Sequence, residues 1–370
     1  MKIFHLFSNY KFTGPADPAL LLAKSQQDLG HTVTFFGGNP TENSTHHLQQ
    51  VAAQRGLDYS SALQLSKHLR PWSLLKDVSR LKRLIETEKP DWIHCHLPGD
   101  HLLACLAKGS HSPLIVKSQY DLNPLKTIRG RYCRPKTDLW VTPTASATHR
   151  MLEWRVPQNR ILERPPVIDL IRFQPDSRKS VPSLEVDPIR VGVVARMQRH
   201  RRFPELIRGF SQAARENPCL QLHIFGRGTH QNEVAKIPAK ESGFSDRIHF
   251  QGYLDSEDYP ARLRQLDILI FLVPGSDGTC RAAREAMACG VPVISSNRGL
   301  LPELIPAEAG ILLESDSPDS ISRALLRLAR DYELRRTMGS AGRSYSESFC
   351  STKTLAKSLD SVLQVLSTVV

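Results

Sequence analysis

Short apolar runs alternate with longer amphipathic stretches along the 370 residues of the chain. In the first half, residues 3–7 read as a strand, 15–29 as a helix stopped by Gly30, and 32–36 as a second strand. The pattern then predicts a helix over 74–88, a strand over 92–96, a short helix over 102–108 and strands over 114–118 and 139–142. A helix over 145–154 closes this series. Residues 163–188 break the alternation, because prolines sit there among polar residues with no helical or strand period, as in a domain linker. Strands over 189–194, 220–224, 247–250, 268–273 and 291–295 then alternate with helices over 204–217, 256–266 and 282–288. From Ser317 onward the chain reads as helix.

Strands separated by helices of this length imply parallel sheets covered on both faces, so the expected fold class is α/β with two doubly wound domains. Their boundaries are placed at 1–165 and 166–349, with a final helix of about 350–370 packing back on the first. Open parallel sheets bind ligands beyond the carboxyl ends of their strands, which predicts a cleft between the two halves. The nearest match to a GxGxxG dinucleotide fingerprint, Gly226-Arg227-Gly228-Thr229-His230-Gln231, lacks the third glycine. No Walker-type phosphate loop is present either, so hydride transfer and nucleotide hydrolysis lose weight.

A hydrophobic share of 40% and a charged share of 23% exclude general disorder. The apolar run Ile268-Leu269-Ile270-Phe271-Leu272-Val273 is strand-sized, well short of the ~18–20 residues of a bilayer-spanning helix. Polar Ser8 and Asn9 come too early for a secretory signal, and seven cysteines without a Cys-x-x-Cys pair suit a reducing cytoplasm. The net charge of +12 is uneven, with 23 basic and 14 acidic side chains in residues 1–175 against 26 and 23 in 176–370. Such an excess points to a polyanionic partner for the first half, with a merely solvated surface as the plainer alternative.

The richest segment is Asp277-Gly278-Thr279-Cys280-Arg281-Ala282-Ala283-Arg284-Glu285, where a strand runs through a loop into a helix. Amides at that helix start can hold an anion, and the carboxylates can accept hydrogen bonds from the hydroxyls of a sugar. Alone, Asp277 reads equally as a helix cap and Glu285 as a surface carboxylate. The segment resembles the donor-binding motif of the family 4 glycosyltransferases, retaining enzymes of the GT-B fold. Their motif is a Glu, then after seven residues a second Glu, then Ala-Met-Ala-x-Gly-x-Pro-Val. Glu285-Ala286-Met287-Ala288-Cys289-Gly290-Val291-Pro292-Val293 matches the second part, and Asp277 takes the first acid's place. The resemblance implies that Glu285 holds the nucleotide ribose and that Asp277 lies beside the donor sugar, and the sequence offers Glu285 no evident structural partner. Gly278, Thr279 and Cys280 would line the donor site.

The same register continues elsewhere. Arg196 matches the family's diphosphate-clamping Arg, and Arg201 stands at the position of its Lys. Two cations past a strand stabilise a leaving diphosphate as charge develops on it. Gly14 remains of a glycine-rich loop after the first strand. Asp91-Trp92-Ile93-His94-Cys95-His96 resembles the family's strand ending in His-x-His, which implies His96 at the reaction centre and His94 packed in the sheet. Strand alternation puts both rings on one face, but two histidines without a third ligand in view do not make a metal site. Tyr120 replaces a histidine that many relatives carry. Arg129, Arg131, Arg134 and Lys136 form a basic run suited to an anionic lipid face or acceptor. Nucleic acid would call for aromatic residues stacked along a groove, and none are so spaced.

The resemblance therefore implies two Rossmann-like domains and transfer of a sugar from a nucleotide-diphosphate sugar to an acceptor hydroxyl with anomeric retention. The implied setting is bacterial cell-surface polysaccharide, lipopolysaccharide or glycolipid synthesis. The partners would be the nucleotide sugar as co-substrate, a saccharide or lipid-linked acceptor and an anionic membrane surface, without cofactor, metal or nucleic acid. The location would be cytoplasmic, peripheral on the inner membrane face. A nucleotide-sugar epimerase of the same architecture and a non-catalytic nucleotide-sugar or polyanion-binding protein are the alternatives. A phosphorylase is a weaker rival, because no segment suits a lysine-bound pyridoxal phosphate.

Overall fold

The computed structural model describes the chain except residues 40–46, 69, 110–112, 121–126, 177–186, 255–256, 274–277 and 370. It divides into two compact units, Met1–Val167 with Phe349–Val370, and Ile168–Ser348.

The first unit opens with β1 (Lys2–Phe7), α1 (Ala16–Asp28), β2 (Thr32–Gly37), α2 (His47–Gln54) and β3 (Asp58–Ser60). It continues with α3 (Pro71–Glu88), β4 (Trp92–Cys95), α4 (Pro98–Ala107), β5 (Leu114–Ser118) and α5 (Ile128–Cys133). Strands β6 (Leu139–Thr142) and β7 (Ile161–Glu163) flank α6 (Ala145–Glu153). All seven strands pair in parallel in the order β3-β2-β1-β4-β5-β6-β7. Alternation along β1 sends Ile3 and Phe7 to one face and Phe4 and Leu6 to the other, and both faces are buried.

The second unit contains β8 (Ile189–Val194), α7 (Phe203–Glu216), β9 (Leu220–Phe225), α8 (Ile237–Glu241) and β10 (Ile248–Gly252). Then come α9 (Asp258–Arg264), β11 (Ile268–Phe271), α10 (Arg281–Ala288), β12 (Val293–Ser296), α11 (Leu301–Leu304) and β13 (Gly310–Leu313). Helices α12 (Pro318–Arg330) and α13 (Tyr332–Phe349) follow. The six strands pair in parallel in the order β10-β9-β8-β11-β12-β13. Helices α7 and α12 approach closely at Gly209, where an added Cβ would lie 2.7 Å from Ile321 Cβ. The last helix, α14 (Thr352–Val369), belongs to the first unit and buries Leu355, Leu359 and Leu363 in its core with α1.

Three features differ from the sequence expectation. Strands β3, β7 and β13 and helices α2, α5, α8 and α11 stand outside the predicted series, the strands being only three or four residues long. The stretch read as a linker begins inside β7, at Glu163. Its following residues are packed, not free, since Val167, Ile168 and Phe173 are buried. Arg343 donates to the carbonyl oxygens of Phe173 (2.7 Å) and Ala288 (2.9 Å), fixing that segment on the second unit.

Candidate active site

In a doubly wound sheet the strand order reverses at one point, where loops leaving adjacent strands diverge and open a crevice. In the second unit this point lies between β8 and β11, with β9 and β10 on one side and β12 and β13 on the other. The residues after β8 pair with those after β9, through Ala195 N–H to Phe225 O (3.1 Å) and Met197 N–H to Arg227 O (3.2 Å). A Cβ at Gly226 or Gly228 would lie 2.2 or 2.0 Å from the carbonyl oxygens of Ala195 and Met197. These glycines therefore let two loops pack together, which explains their spacing without a dinucleotide.

Arg196 is exposed just past β8. Arg201 is half-buried and donates from Nη1 to the carbonyl of Val273 at 2.7 Å, so it bridges the loops after β8 and β11 across the crevice. Asp277 lies outside the described residues. Gly278 and Cys280 both take left-handed backbone angles, φ +66° and +47°. For a residue with a side chain this costs roughly 1–2 kcal/mol, so neighbouring contacts must hold Cys280 in place. Buried Arg284 supplies one of them, its Nε donating to Thr279 O at 2.7 Å. Thr279 and Cys280 are themselves buried, the thiol of Cys280 facing the carbonyl of Gly278 at 3.6 Å.

Glu285 corrects its sequence reading. It is no surface carboxylate and does not lack a structural partner, being 1% exposed with both oxygens engaged. Arg281 Nε donates to Oε1 at 2.6 Å and Tyr259 Oη to Oε2 at 2.8 Å. Burial, and then the Glu285 charge, push the Tyr259 phenol well above its ordinary pKa. Each carboxylate oxygen retains a further acceptor direction, so a ribose hydroxyl would join an existing cluster. The Arg281–Glu285 pair has helix i,i+4 spacing and could be read from sequence. Tyr259 comes from another helix, with no local signal.

In the first unit the strand order reverses between β1 and β4. A cavity of about 260 Å³ opens there, lined by Ser8, Asn9 and Thr13 after β1 and by Leu97, Pro98 and Gly99 after β4. Gly14 follows Thr13 in the turn leading into α1. His96 is 1% exposed and is not among the cavity's lining residues. Its Nε2 lies 3.0 Å from His5 Nδ1, while His5 Nε2 lies 2.7 Å from Gln26 Oε1. With that oxygen accepting from His5, the proton on His5 sits at Nε2 and His96 donates from its own Nε2. The buried Nδ1 of His96 then keeps a bare lone pair, and it has no hydrogen-bond partner.

Burial lowers the His5 pKa to about 4, against a raising contribution from Gln26. His94 and His96 fall well below the ordinary value through burial and then through neighbouring positive charge. The three ligand-bearing side chains come within 4.8 Å of one another. Their rings stack, however, the His94 and His96 planes being 8° apart and those of His5 and His96 15°. His5 commits both ring nitrogens, to His96 and to Gln26, so an ion held by all three histidines would have to break that hydrogen-bonded chain. His101, Cys105 and Cys133 form a second such buried group, in which His101 Nε2 lies 2.8 Å from Thr137 Oγ1.

The basic run divides. Arg129 and Arg131 are exposed, the latter over the Trp154 ring at 5.3 Å. Half-buried Arg134 donates to Trp154 O at 2.5 Å, and Lys136 donates to Cys105 O at 3.3 Å and covers the Tyr132 ring at 4.1 Å. Two of the four cations expected on an open anionic face are thus engaged within the fold.

Two family models match consecutive stretches of the chain, Glycosyltransferase Family 4 over residues 19–172 and Glycosyl transferases group 1 over 176–345. The chain belongs to the family 4 glycosyltransferases. Among relatives, it is 27% identical over 215 residues to a GDP-mannose-dependent monoacylated alpha-(1-6)-phosphatidylinositol monomannoside mannosyltransferase of Corynebacterium glutamicum. That alignment covers 54% of this chain and 55% of the relative. It is 29% identical over 199 residues to a D-inositol 3-phosphate glycosyltransferase of Corynebacterium jeikeium, covering 50% of this chain and 47% of the relative. The chain thus spans about half the length of these curated relatives. A glycosyltransferase from Rickettsia africae superposes with TM-score 0.80 at 15% identity, over 99% of this chain and 98% of that one. HepE of Anabaena, solved with UDP, superposes with TM-score 0.78 at 16% identity, over 99% and 100%. These likenesses establish the GT-B fold, two Rossmann-like domains.

Proposed function

We propose that this family 4 member moves a sugar from a nucleotide-diphosphate sugar to an acceptor hydroxyl with retention of configuration, in bacterial cell-surface polysaccharide, lipopolysaccharide or glycolipid synthesis. The observation that carries this reading is Arg201 spanning the β8–β11 crevice to Val273, with Arg196 exposed on the same segment after β8 and Glu285 on the helix that follows β11. In this reading the second unit binds the donor and the first the acceptor. Arg196 and Arg201 face the diphosphate, Glu285 takes a ribose hydroxyl, and Asp277 lies by the sugar. As the glycosidic bond breaks, negative charge grows on the departing diphosphate, and fixed guanidinium groups stabilise it more than the ground state. Guanidinium charge serves here in place of a divalent metal. His96, held by His5, supports the loops after β1 and β4.

The test is turnover. Purified protein incubated with UDP-, GDP- and ADP-sugars and a saccharide or lipid-linked acceptor should release one nucleoside diphosphate and form a product of the donor's anomeric configuration. The screen includes both bases because the Corynebacterium glutamicum relative is named for GDP-mannose and the Anabaena structure holds UDP. An inverted product, or epimerised donor without transfer, would refute the reading.

We place the enzyme on the cytoplasmic face of a membrane, with exposed Arg131 and Ile128 toward anionic lipid and Arg129 between them at the cavity wall. No helix among the described residues is long and apolar enough to cross a membrane. Each cation near such a surface contributes about 1 kcal/mol, weakened by salt. With Arg134 and Lys136 engaged elsewhere, the attraction is weaker than four free cations would give. Equal sedimentation with neutral and anionic vesicles at low salt would count against it.

A further inference from the structure

The cavity at the β1–β4 reversal has a wall that the donor reading does not use. After β3 the chain enters a loop clamped by Asp77 of α3, a 3% exposed carboxylate that accepts the amides of Gln64 (2.9 Å) and Leu65 (3.0 Å). Leu65 is held there at φ +42°, and the amide of Asn39 donates to Gln64 O at 3.1 Å. A buried acid and a left-handed leucine fixing one loop amount to a built structure, not a passive connection. Beyond the clamp the loop presents Lys67 and His68, and then Arg70, all lining the cavity, with Arg129 also at its wall.

These groups make the cavity wall mainly cationic, Lys67, Arg70 and Arg129 standing against the single carboxylate of Asp77. Lys67, Arg70 and Arg129 are exposed at this wall, and the oxygens of Asp77 accept the amides of Gln64 and Leu65. Arg70 is also the residue before α3, which starts with Pro71 and has no side-chain cap. The first-turn amides of Trp72 and Ser73 thus lack intrahelical acceptors, and Ser73 lines the cavity. Cationic side chains and a helix start together favour a compact multivalent anion. A phosphomonoester, with about −1.5 to −2 charges and three acceptor oxygens, matches that demand better than a carboxylate. The volume of about 260 Å³ leaves room for the polyol or sugar that carries the phosphate.

We infer that this cavity binds the phosphate group of the acceptor, through Lys67, Arg70, Arg129 and the start of α3. The inference rests on the glycosyl-transfer reading for the word acceptor, but the anion site stands on its own geometry. The enzyme would then hold two phosphorylated substrates, one at the strand reversal of each sheet.

The probe is glycerol 3-phosphate, followed by phosphorus NMR line broadening at constant ionic strength. Saturable broadening is expected with the full chain, weakened at least tenfold when Lys67→Gln, Arg70→Gln and Arg129→Gln are combined. These side chains are exposed, so an unchanged melting temperature and nucleotide affinity should accompany the loss. Arg196→Ala with Arg201→Ala should leave the broadening in place, which separates this site from the donor's. Absence of broadening with the unaltered chain, equal broadening in the triple variant, or loss in the Arg196 and Arg201 variant would each overturn the inference. A second arm replaces the probe by vesicles containing phosphatidic acid. Triple-sensitive binding of both presentations means that the cavity reads the phosphate itself, whereas vesicle binding without soluble binding contradicts the cavity. Nucleotide affinity is read on the same samples, so failure here leaves the donor reading intact.

Discussion

Arg196 and Arg201 share a proposed ligand and differ in what else they hold. Arg196 is exposed past β8, so Arg196→Ala should lower kcat/KM at least tenfold, with the melting temperature unchanged. Removing a preorganised charge contact costs roughly 2–4 kcal/mol of transition-state stabilisation. Arg201→Ala should show the same kinetic loss and also melt earlier, because the bridge to Val273 goes with it. Unchanged kinetics in both variants would remove the diphosphate assignment. Glu285→Gln should affect two readouts as well. Neutralising it removes the charge that faces the Arg281 guanidinium at 2.6 Å, at a cost of about 1–3 kcal/mol, and weakens nucleotide affinity. Full affinity by calorimetry despite a lower melting temperature would make Glu285 purely structural. Sequence spacing shows Glu285, Arg281 and the register of the motif, but not that the carboxylate is buried. That burial depends on Tyr259 from α9, twenty-six positions away.

At the scale of elements, β1, β4 and α1 bring His5, His94, His96 and Gln26 into one buried cluster. An unfolded histidine takes a proton near pH 6.5, whereas folded His5 resists until about 4. Protons are thus bound preferentially by the unfolded chain in this window, so the stability from neutral His5 is present above about pH 6.5 and lost as pH falls toward 4. For His5 alone the loss approaches about 3 kcal/mol, and His94 and His96 shift in the same direction. Asp100 opposes them: burial raises it to about 6, against Lys117 and its hydrogen bonds, so its contribution grows as pH falls through that range. His5, His94 and His96, joined by His101 and His223, which burial also lowers, outweigh the one carboxyl and predict net destabilisation between pH 6.5 and 4 in denaturant titrations, with a flatter profile for His5→Gln. A profile equally steep in that variant would refute the role of His5. Helix α14 gives a second test, since Leu359→Ala empties a fully buried site and should cost about 2–5 kcal/mol.

The strand-helix alternation behind these elements is legible because apolar periods repeat over whole elements. Edge strands of three or four residues, such as β3 and β13, carry too few positions to show a period. The histidine cluster is hidden for a different reason. Alternation places His94 and His96 on one face, but only the parallel pairing of β1 with β4 sets His5 opposite His94.

For the whole molecule, two sheets reverse their strand order once each, and each reversal carries cationic groups. The doubly wound architecture is readable from pattern alone, and the resemblance around Glu285 points to the second reversal as the proposed donor site. The cavity at the first is not readable, because Lys67, Arg70 and Arg129 join it through loops whose geometry depends on Asp77 and on the strand order. In the proposed reading the β8–β11 crevice holds a nucleotide diphosphate between Arg196 and Arg201. A ligand that binds the folded chain alone adds about 2.7 kcal/mol at a hundred times its Kd, enough to raise the melting temperature measurably. Melting the protein with saturating UDP, GDP and ADP, alongside the Arg196→Ala, Arg201→Ala double variant, is the most direct measurement. At least one nucleotide should stabilise the unaltered chain and lose most of that effect in the variant. No shift with any nucleotide, or an undiminished shift in the variant, would contradict the claim.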